Sequence, residues 1–377
     1  SYYIRVHKAT LGVDEAALQQ FFPLEHVKNE ILSIYEELLG LKFVKVTDDV
    51  EVWHEDVDCF AVHNAAAAGD DGDDNEPLGF FYFDLYPREG KYSHQCVYPL
   101  RPSYNPTTNT DAANGKRVKP ACVNIGNLSR GKDGEPSLLR FREVETFFHE
   151  FGHVMHCVLA KSEHSLQAWA WSAVPWPGGV EQDFLEVPSM MLENFVWQKE
   201  VLKRLSKNRD SGASLPGDMM ESLSRSRTTM EGYSRCRYLA MALYDLKVHG
   251  GPGPYEYNGK EYNAIALYKA MTEDISGVPI IPDTFPVASW FHPMMGYDAG
   301  YYSYIWSEVL AADLFSAFEQ TAASSADGAS SSVLDPVLGR KYRDTILAPC
   351  ATVDGDTMLR NFLGREPSNK AFLNRVI

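Results

Sequence analysis

The chain has 377 residues, 45% of them apolar and 23% charged, with a formal net charge of −16. That is enough apolar sequence for a sizeable core in one large domain or two. The acid excess excludes a protein that follows nucleic acid along its phosphates or docks on anionic lipid, because both draw affinity from clustered Lys and Arg.

In chain order, Asp14 reads as an N-cap opening a helical region over 14–40. That region restarts after Pro23 with Val27, Ile31, Ile34 and Leu38 at helical spacing. Residues 51–63 and 78–86, rich in Val, Phe, Tyr and Trp, read as strands. The small, acidic stretch between them, 65–77, fails the calcium-loop pattern. Counted from Asp71, Glu76 stands where Gly is needed and Tyr82 where Glu is needed, so a hairpin tip is expected. Residues 102–138 are rich in Asn, Gly, Pro and Ser and read as loop with one short strand near Val123. From Arg142 to about residue 247 the pattern is helical, interrupted by loops at 162–179 and 210–216. A Gly/Pro break at 250–254, a helical stretch, a Pro-rich segment at 278–286 and a further helix after Gly300 follow. An Ala/Ser-rich loop is expected at 322–332. The expected fold is mostly α-helical with a small β element.

The six cysteines are scattered singly and form no C-x-x-C pair, which points to buried free thiols in a reducing compartment, cytoplasmic or organellar. No run of 18 apolar residues is present, so no membrane partner or membrane span is expected. No basic and then apolar leader follows Ser1.

Residues 148–156 read FHEFGHVMH and contain His149-Glu150-x-x-His153. Residues four apart on a helix share one face, so two imidazoles can reach one ion, and the Glu beside the first can approach water at that ion. Val144, Phe147, Phe148, Phe151, Val154, Met155 and Val158 supply the apolar stripe that such a helix needs. The bland alternative is a helix with two satisfied histidines and a solvated Glu. Gly152 counts against it, since an interior Gly costs ~1 kcal/mol relative to Ala and suggests close approach of another backbone or of substrate.

A catalytic zinc needs a third protein ligand and an open position. His156 reads as a packing or supporting residue, because a compact site rarely draws three ligands from two turns of one straight helix. The pattern with Gly at 156 and His at 159 is excluded by His156 and Leu159. A Glu from the next helix remains, and Glu163, Glu181, Glu186, Glu193 and Glu200 are all in range. Glu145, about one helical turn before His149, and Glu193 could each orient a ligand, the alternative for both being an ordinary solvated Glu. Downstream, HPMMGYDAGYYSYIW at 292–306 holds His292, Tyr297, Tyr301, Tyr302 and Tyr304, which are donor types suited to stabilising an oxyanion, although such clusters are more often core.

Taken together, WHEDV at 53–57, DLYPREGKY at 84–92, EVETFFHEFGHVMH at 143–156, DFLEVPSMMLEN at 183–194, GYDAGYYSYIWSEV at 296–309 and FLGREP at 362–367 resemble the thimet oligopeptidase and neurolysin family of zinc oligopeptidases. The resemblance covers nearly the whole chain. It implies a zincin-type metallopeptidase catalytic region over residues 1–377, forming one lobe of a two-lobed channel that admits short unstructured peptides. It also implies one Zn2+ per chain held by His149, His153 and Glu186, with Glu150 as base and Tyr304, Tyr297 and His292 facing substrate. Members carry a long N-terminal region absent here. The path from His153 to Glu186 is longer than in close relatives and carries Trp169, Trp171 and Trp176, so the 162–179 loop is expected to border the channel. Gln182 stands where some relatives have Arg, and Met295-Gly296 replaces a pair of glycines. Two rivals are a catalytically incompetent peptide-binding fragment or pseudoenzyme, which the intact Glu150 argues against, and a zinc aminopeptidase, which the absence of a G-x-M-E-N motif argues against.

Overall fold

A computed structural model describes residues 2–65, 76–106, 116–131, 134–168, 179–324 and 332–376. The acidic tip at 66–75, Trp169, Trp171 and Trp176, and the Ala/Ser stretch at 325–331 lie outside the described residues. The fold is mostly α-helical with a small sheet.

The N-terminal helical region is two helices, Glu15–Gln19 and Leu24–Leu39. Asp14 caps the first, accepting from the amides of Ala16 and Ala17 at 2.9 and 3.1 Å. Gly40, at φ +65°, ends the second and turns the chain directly into a strand. Five strands follow: β1 (Leu41–Lys45), β2 (Asp58–Asn64), β3 (Gly79–Asp84), β4 (Cys96–Arg101) and β5 (Ala121–Ile125). Their order in the sheet is β1-β2-β3-β5-β4, antiparallel except for the β3–β5 pair. β1 and β4 were not expected from the sequence, and the strand expected over 51–63 begins only at Asp58. Residues 51–57 instead loop back so that the Trp53 indole N–H reaches Asp84 at 2.9 Å.

That bond belongs to a knot that explains two of the quoted motifs. Asp84 takes paired hydrogen bonds from Arg88 at 2.6 and 2.7 Å. Lys91 Nζ lies 2.9 Å from Asp84 and also donates to the carbonyls of Asp84, Tyr86 and Gly126. The carboxylate is almost wholly buried, and burial alone would raise its pKa. The donors from Arg88, Lys91 and Trp53 outweigh burial and hold it down to about 2.

The inner face of the sheet carries Phe43, Phe81 and Phe83, each within 5.7 Å of Phe151 on helix Phe141–Val158, ring centre to ring centre. The predicted stripe of that helix is fully buried from Val144 to Val158. Its start is fixed by Glu143, whose carboxylate accepts the Arg140 amide at 2.8 Å. Tyr35 reaches in from helix Leu24–Leu39 and donates to the Phe148 carbonyl at 2.9 Å. The helix is therefore held from two sides by core rather than by its own propensity. Helix Glu231–His249, an unforeseen hairpin at Tyr255–Tyr257 and Lys260–Tyr262, and helix Ala264–Ser276 pack a separate small core around Tyr244, Leu267, Tyr268 and Met271. All six cysteines are free thiols, five of them buried. Among the described residues no helix is long and apolar enough to cross a membrane.

Candidate metal centre

Helix Phe141–Val158 presents His149 and His153 one turn apart, with ring centres 5.0 Å apart. Helix Val187–Glu193 crosses it, begun by Pro188, whose missing N–H costs nothing in a first turn. Glu186, immediately before that helix, places Oε2 3.3 Å from His149 Nε2 and 3.1 Å from His153 Nε2. Ligand atoms of the three residues lie within 4.8 Å of one another. The crossing is close because Gly152 has no Cβ, and a Cβ there would lie 2.8 Å from Ser189 Cα. The sequence expectation of a close backbone approach at Gly152 is met by this helix.

Of the five Glu residues in range, Glu186 alone sits between the two imidazoles. Glu193 puts Oε2 3.0 Å from His149 Nδ1, on the far side of that ring. Glu181 accepts the Gly355 amide at 3.2 Å, and Glu200 the Val333 amide at 2.7 Å. Glu163 is exposed. Glu145 accepts from the Trp197 indole at 2.9 Å rather than from a histidine. Burial and the neighbouring Glu193 charge push its carboxyl up to about 7. Ser189 Oγ donates to Glu186 Oε2 at 3.2 Å and to the Glu186 carbonyl at 3.0 Å.

The donor set fits a divalent cation. Three carboxylates, Glu150, Glu186 and Glu193, surround two imidazoles, leaving a cluster short of positive charge. Burial opposes ionisation of Glu186, but His153 and His149 beside it hold its carboxyl well below the usual range. Burial opposes protonation of His149, but hydrogen bonds to Glu186 and Glu193 prevail and raise it. Two nitrogens and a carboxylate oxygen are the donors found at catalytic zinc sites. His156 is fully buried, neither ring nitrogen has a hydrogen-bond partner among the described residues, and burial with His153 nearby pushes its pKa down to about 3. It packs as a neutral ring.

The cluster opens on a cavity of about 1500 Å³. Glu150, 8% exposed, lines it beside His149 and His153, and burial raises its carboxyl above the ordinary value. The tyrosine segment forms the facing wall. A turn at His292–Met295, Gly296 at φ +87°, and helix Ser303–Ser324 bring His292, Tyr297 and Tyr304 to the cavity. The Tyr297 hydroxyl donates to Glu186 Oε1 at 2.9 Å. Tyr304 stacks on Tyr297 at 5.1 Å, and the His292 ring lies 5.8 and 6.0 Å from the two. Burial and the Glu186 charge push the Tyr304 phenol well up, so it stays a donor. Tyr301 stacks on Tyr238 and Tyr302 donates to Asp183 at 3.0 Å, so these two hold the wall in place.

Sequence reasoning missed Asp245, a wholly buried carboxylate that binds the backbone of the tyrosine turn. The signal was thin, a single Asp seven residues after Tyr238 on a helix with no clear apolar face.

The family model of Peptidase family M3 matches residues 1–376. Thimet-like oligopeptidase of Dictyostelium discoideum is 34% identical over 97% of this chain and 49% of its own length. Saccharolysin of Saccharomyces cerevisiae is 31% identical over 100% of this chain and 50% of its own. The chain thus spans about half the length of these relatives. In fold it is similar to the M32 carboxypeptidase from Deinococcus radiodurans R1, with a TM-score of 0.52 and 13% identity over 100% of this chain and 64% of that one. The helix-borne histidine pair and the Glu that meets it thus lie within a matched segment that takes in the whole described structure, and the chain belongs to peptidase family M3.

Proposed function

We propose that residues 1–377 form the catalytic region of a zinc-dependent oligopeptidase that hydrolyses peptide bonds in short unstructured peptides, as one lobe of a two-lobed channel. The observation that carries the reading is Glu186 Oε2 standing 3.3 and 3.1 Å from the His149 and His153 nitrogens, with buried Glu150 on the same cavity wall. His149, His153 and Glu186 would hold one zinc ion, which when bound supplies Lewis acidity toward a carbonyl and acidifies water. Glu193 fixes the His149 ring from behind through Nδ1. Glu150 takes the proton of the attacking water and passes it to the departing amine nitrogen. Its burial favours holding that proton between the two transfers. Tyr304, with Tyr297 or His292, donates to the oxygen on which negative charge develops. The relatives' printed names, Thimet-like oligopeptidase and saccharolysin, support the substrate class. An intact Glu150 counts against the reading of an inactive peptide-binding fragment.

Zinc content and turnover of short peptides, measured on the same samples, test this. The parent is expected to hold one zinc per chain, and Glu186→Ala to lose it. Glu150→Gln is expected to keep zinc and lose roughly 10²–10⁴-fold in turnover. Tight zinc in Glu186→Ala removes that residue from the ligand set, and near-parent turnover in Glu150→Gln means another group activates the water.

A further inference from the structure

One fully buried carboxylate has no part in the reaction above. Asp245 lies on helix Glu231–His249 and is 0% exposed. Its Oδ1 accepts the Ala299 amide at 3.0 Å and its Oδ2 the Tyr301 amide at 2.9 Å. His249, one turn further along the same helix, sets Nδ1 2.8 Å from Oδ1. A carboxylate out of water is tolerated only where its lone pairs are used, and here two amides and an imidazole use them.

Both amides belong to the turn between Tyr297 and helix Ser303–Ser324, which presents Tyr297 and Tyr304. Ala299 sits at φ +56°, the left-handed region that a residue with a Cβ rarely adopts. The turn's own bonds are short-range: Tyr297 N–H to the His292 carbonyl, Gly300 N–H to the Tyr297 carbonyl, and Ser303 N–H to the Gly300 carbonyl. From outside, helix Glu231–His249 holds the turn's backbone through Asp245 and its Tyr301 ring through Tyr238, which stacks on it at 4.9 Å and 11°, while Asp183 accepts only the Tyr302 side-chain hydroxyl at 3.0 Å. Asp245 thus supports a backbone conformation that alanine disfavours, at the point that sets where the two tyrosines lie.

We propose that Asp245 is a positioning residue for peptide hydrolysis: its carboxylate clamps the amides of Ala299 and Tyr301 and thereby fixes the Tyr297 and Tyr304 hydroxyls opposite Glu186. The inference rests on the peptidase reading, which gives those hydroxyls their role. Asp245→Asn keeps the shape but sets an amide NH₂ against one of the two N–H donors. Four measurements on the same samples decide it: hydrogen exchange over 297–303, zinc content, thermal unfolding, and kcat and KM on a quenched fluorescent peptide.

In Asp245→Asn, exchange over 297–303 is expected to rise about tenfold or more. The kcat falls by about tenfold or more, while KM stays within about threefold and zinc supplied in excess still fills one site per chain. Ala299→Gly, which adopts positive φ without steric cost, is expected to act near the parent by itself and to recover part of the lost kcat in the Asp245→Asn background. A merely structural Asp would lose melting temperature, zinc and kcat together, with no rescue by glycine. Parent-like exchange, a parent-like kcat, or a loss that Ala299→Gly does not touch overturns the proposal. If the parent hydrolyses no peptide, the peptidase reading fails separately. The clamp is then decided by exchange, where parent-like protection overturns it and a loss confined to 297–303 supports it. Should Asp245→Asn not fold, Asp245→Glu keeps both acceptors one methylene further out. The same split of kcat against KM is expected there, and a parent-like kcat overturns the proposal.

Discussion

Gly152 and Ser189 meet backbone to backbone between the two histidines and the glutamate: a Cβ on Gly152 would lie 2.8 Å from Ser189 Cα and 3.5 Å from Leu192 Cδ1. The distance from the histidine pair to Glu186 is therefore set by the absence of one methyl group. Gly152→Ala gains about 1 kcal/mol of helix propensity and incurs about 1–3 kcal/mol of overpacking at an immovable neighbour. The two nearly cancel in stability but not in geometry, because helix Val187–Glu193 must move away. The expected outcome is a metal-free melting point near the parent's and a zinc affinity lower by about tenfold or more. Chelator competition measures this. Parent-like affinity would mean that the crossing relaxes without displacing Glu186.

Glu193 and Glu145 separate by partner. Glu193 lies 3.0 Å from His149 Nδ1, whereas Glu145 is bonded to Trp197. A carboxylate that orients a ligating imidazole typically contributes 10–100-fold in metal affinity. Glu193→Gln is expected to weaken zinc by about that factor. Glu145→Gln is expected to leave affinity within about threefold. Equal effects of the two, read by the same competition assay, would show that charge in the cluster matters and orientation does not.

The Asp84 knot predicts acid behaviour. Its carboxyl is held down to about 2, below the ordinary 3.8. A group with a depressed folded pKa contributes stability that is fully present above its unfolded pKa and is lost as pH falls through the folded one. The window is therefore from about pH 4 down to about pH 2. Asp84→Asn leaves Lys91 buried without its counter-charge, a class of change that costs about 3–5 kcal/mol. The stability gap between parent and Asp84→Asn, followed by denaturant unfolding, is expected to be constant above about pH 4 and to narrow below it. A gap that does not change with pH would mean that the knot is held by shape rather than by charge.

What the sequence made legible follows from the range over which each signal acts. The histidine helix announced itself because its pattern is local: a four-residue spacing, an apolar stripe and an interior glycine at Gly152 all lie within about four turns of one helix. Glu186, by contrast, could not be chosen from five glutamates by spacing, since what selects it is the crossing of a second helix at Gly152. The family resemblance supplied that choice. β1 and β4 escaped because each is short and lies beside stronger signals, a helix ending at Gly40 and the loop-rich 102–138 segment. Asp84, Arg88 and Lys91 were visible as a motif but not as a knot, because Trp53, which completes it, lies 31 residues earlier. Asp245 was invisible for the same reason, being 54 and 56 residues from the amides it binds.

Tyr304 and Tyr297 stack on one wall but differ in what their hydroxyls touch, and this difference predicts distinct kinetics. Tyr297 already donates to Glu186 Oε1 at 2.9 Å, so its hydroxyl acts on a residue of the proposed ligand set before any substrate arrives. Tyr297→Phe is therefore expected to lower zinc affinity as well as turnover. Tyr304 makes no such bond to Glu186, and its strongly raised phenol pKa keeps it a donor across the working range. If it donates to the oxygen that gains charge during hydrolysis, its bond exists only in the transition state. An interaction made only there changes kcat and kcat/KM together and leaves KM nearly unchanged. Losing one such donor typically costs ~10²–10³ in kcat. Tyr304→Phe keeps the ring and its 5.1 Å stack on Tyr297, so packing and zinc content are expected to stay at the parent's level. Paired measurements of zinc, kcat and KM on both phenylalanine variants decide the assignment. A parent-like kcat in Tyr304→Phe would pass the oxyanion role to Tyr297 or His292, and a zinc loss there would make Tyr304 part of the support for Glu186 instead.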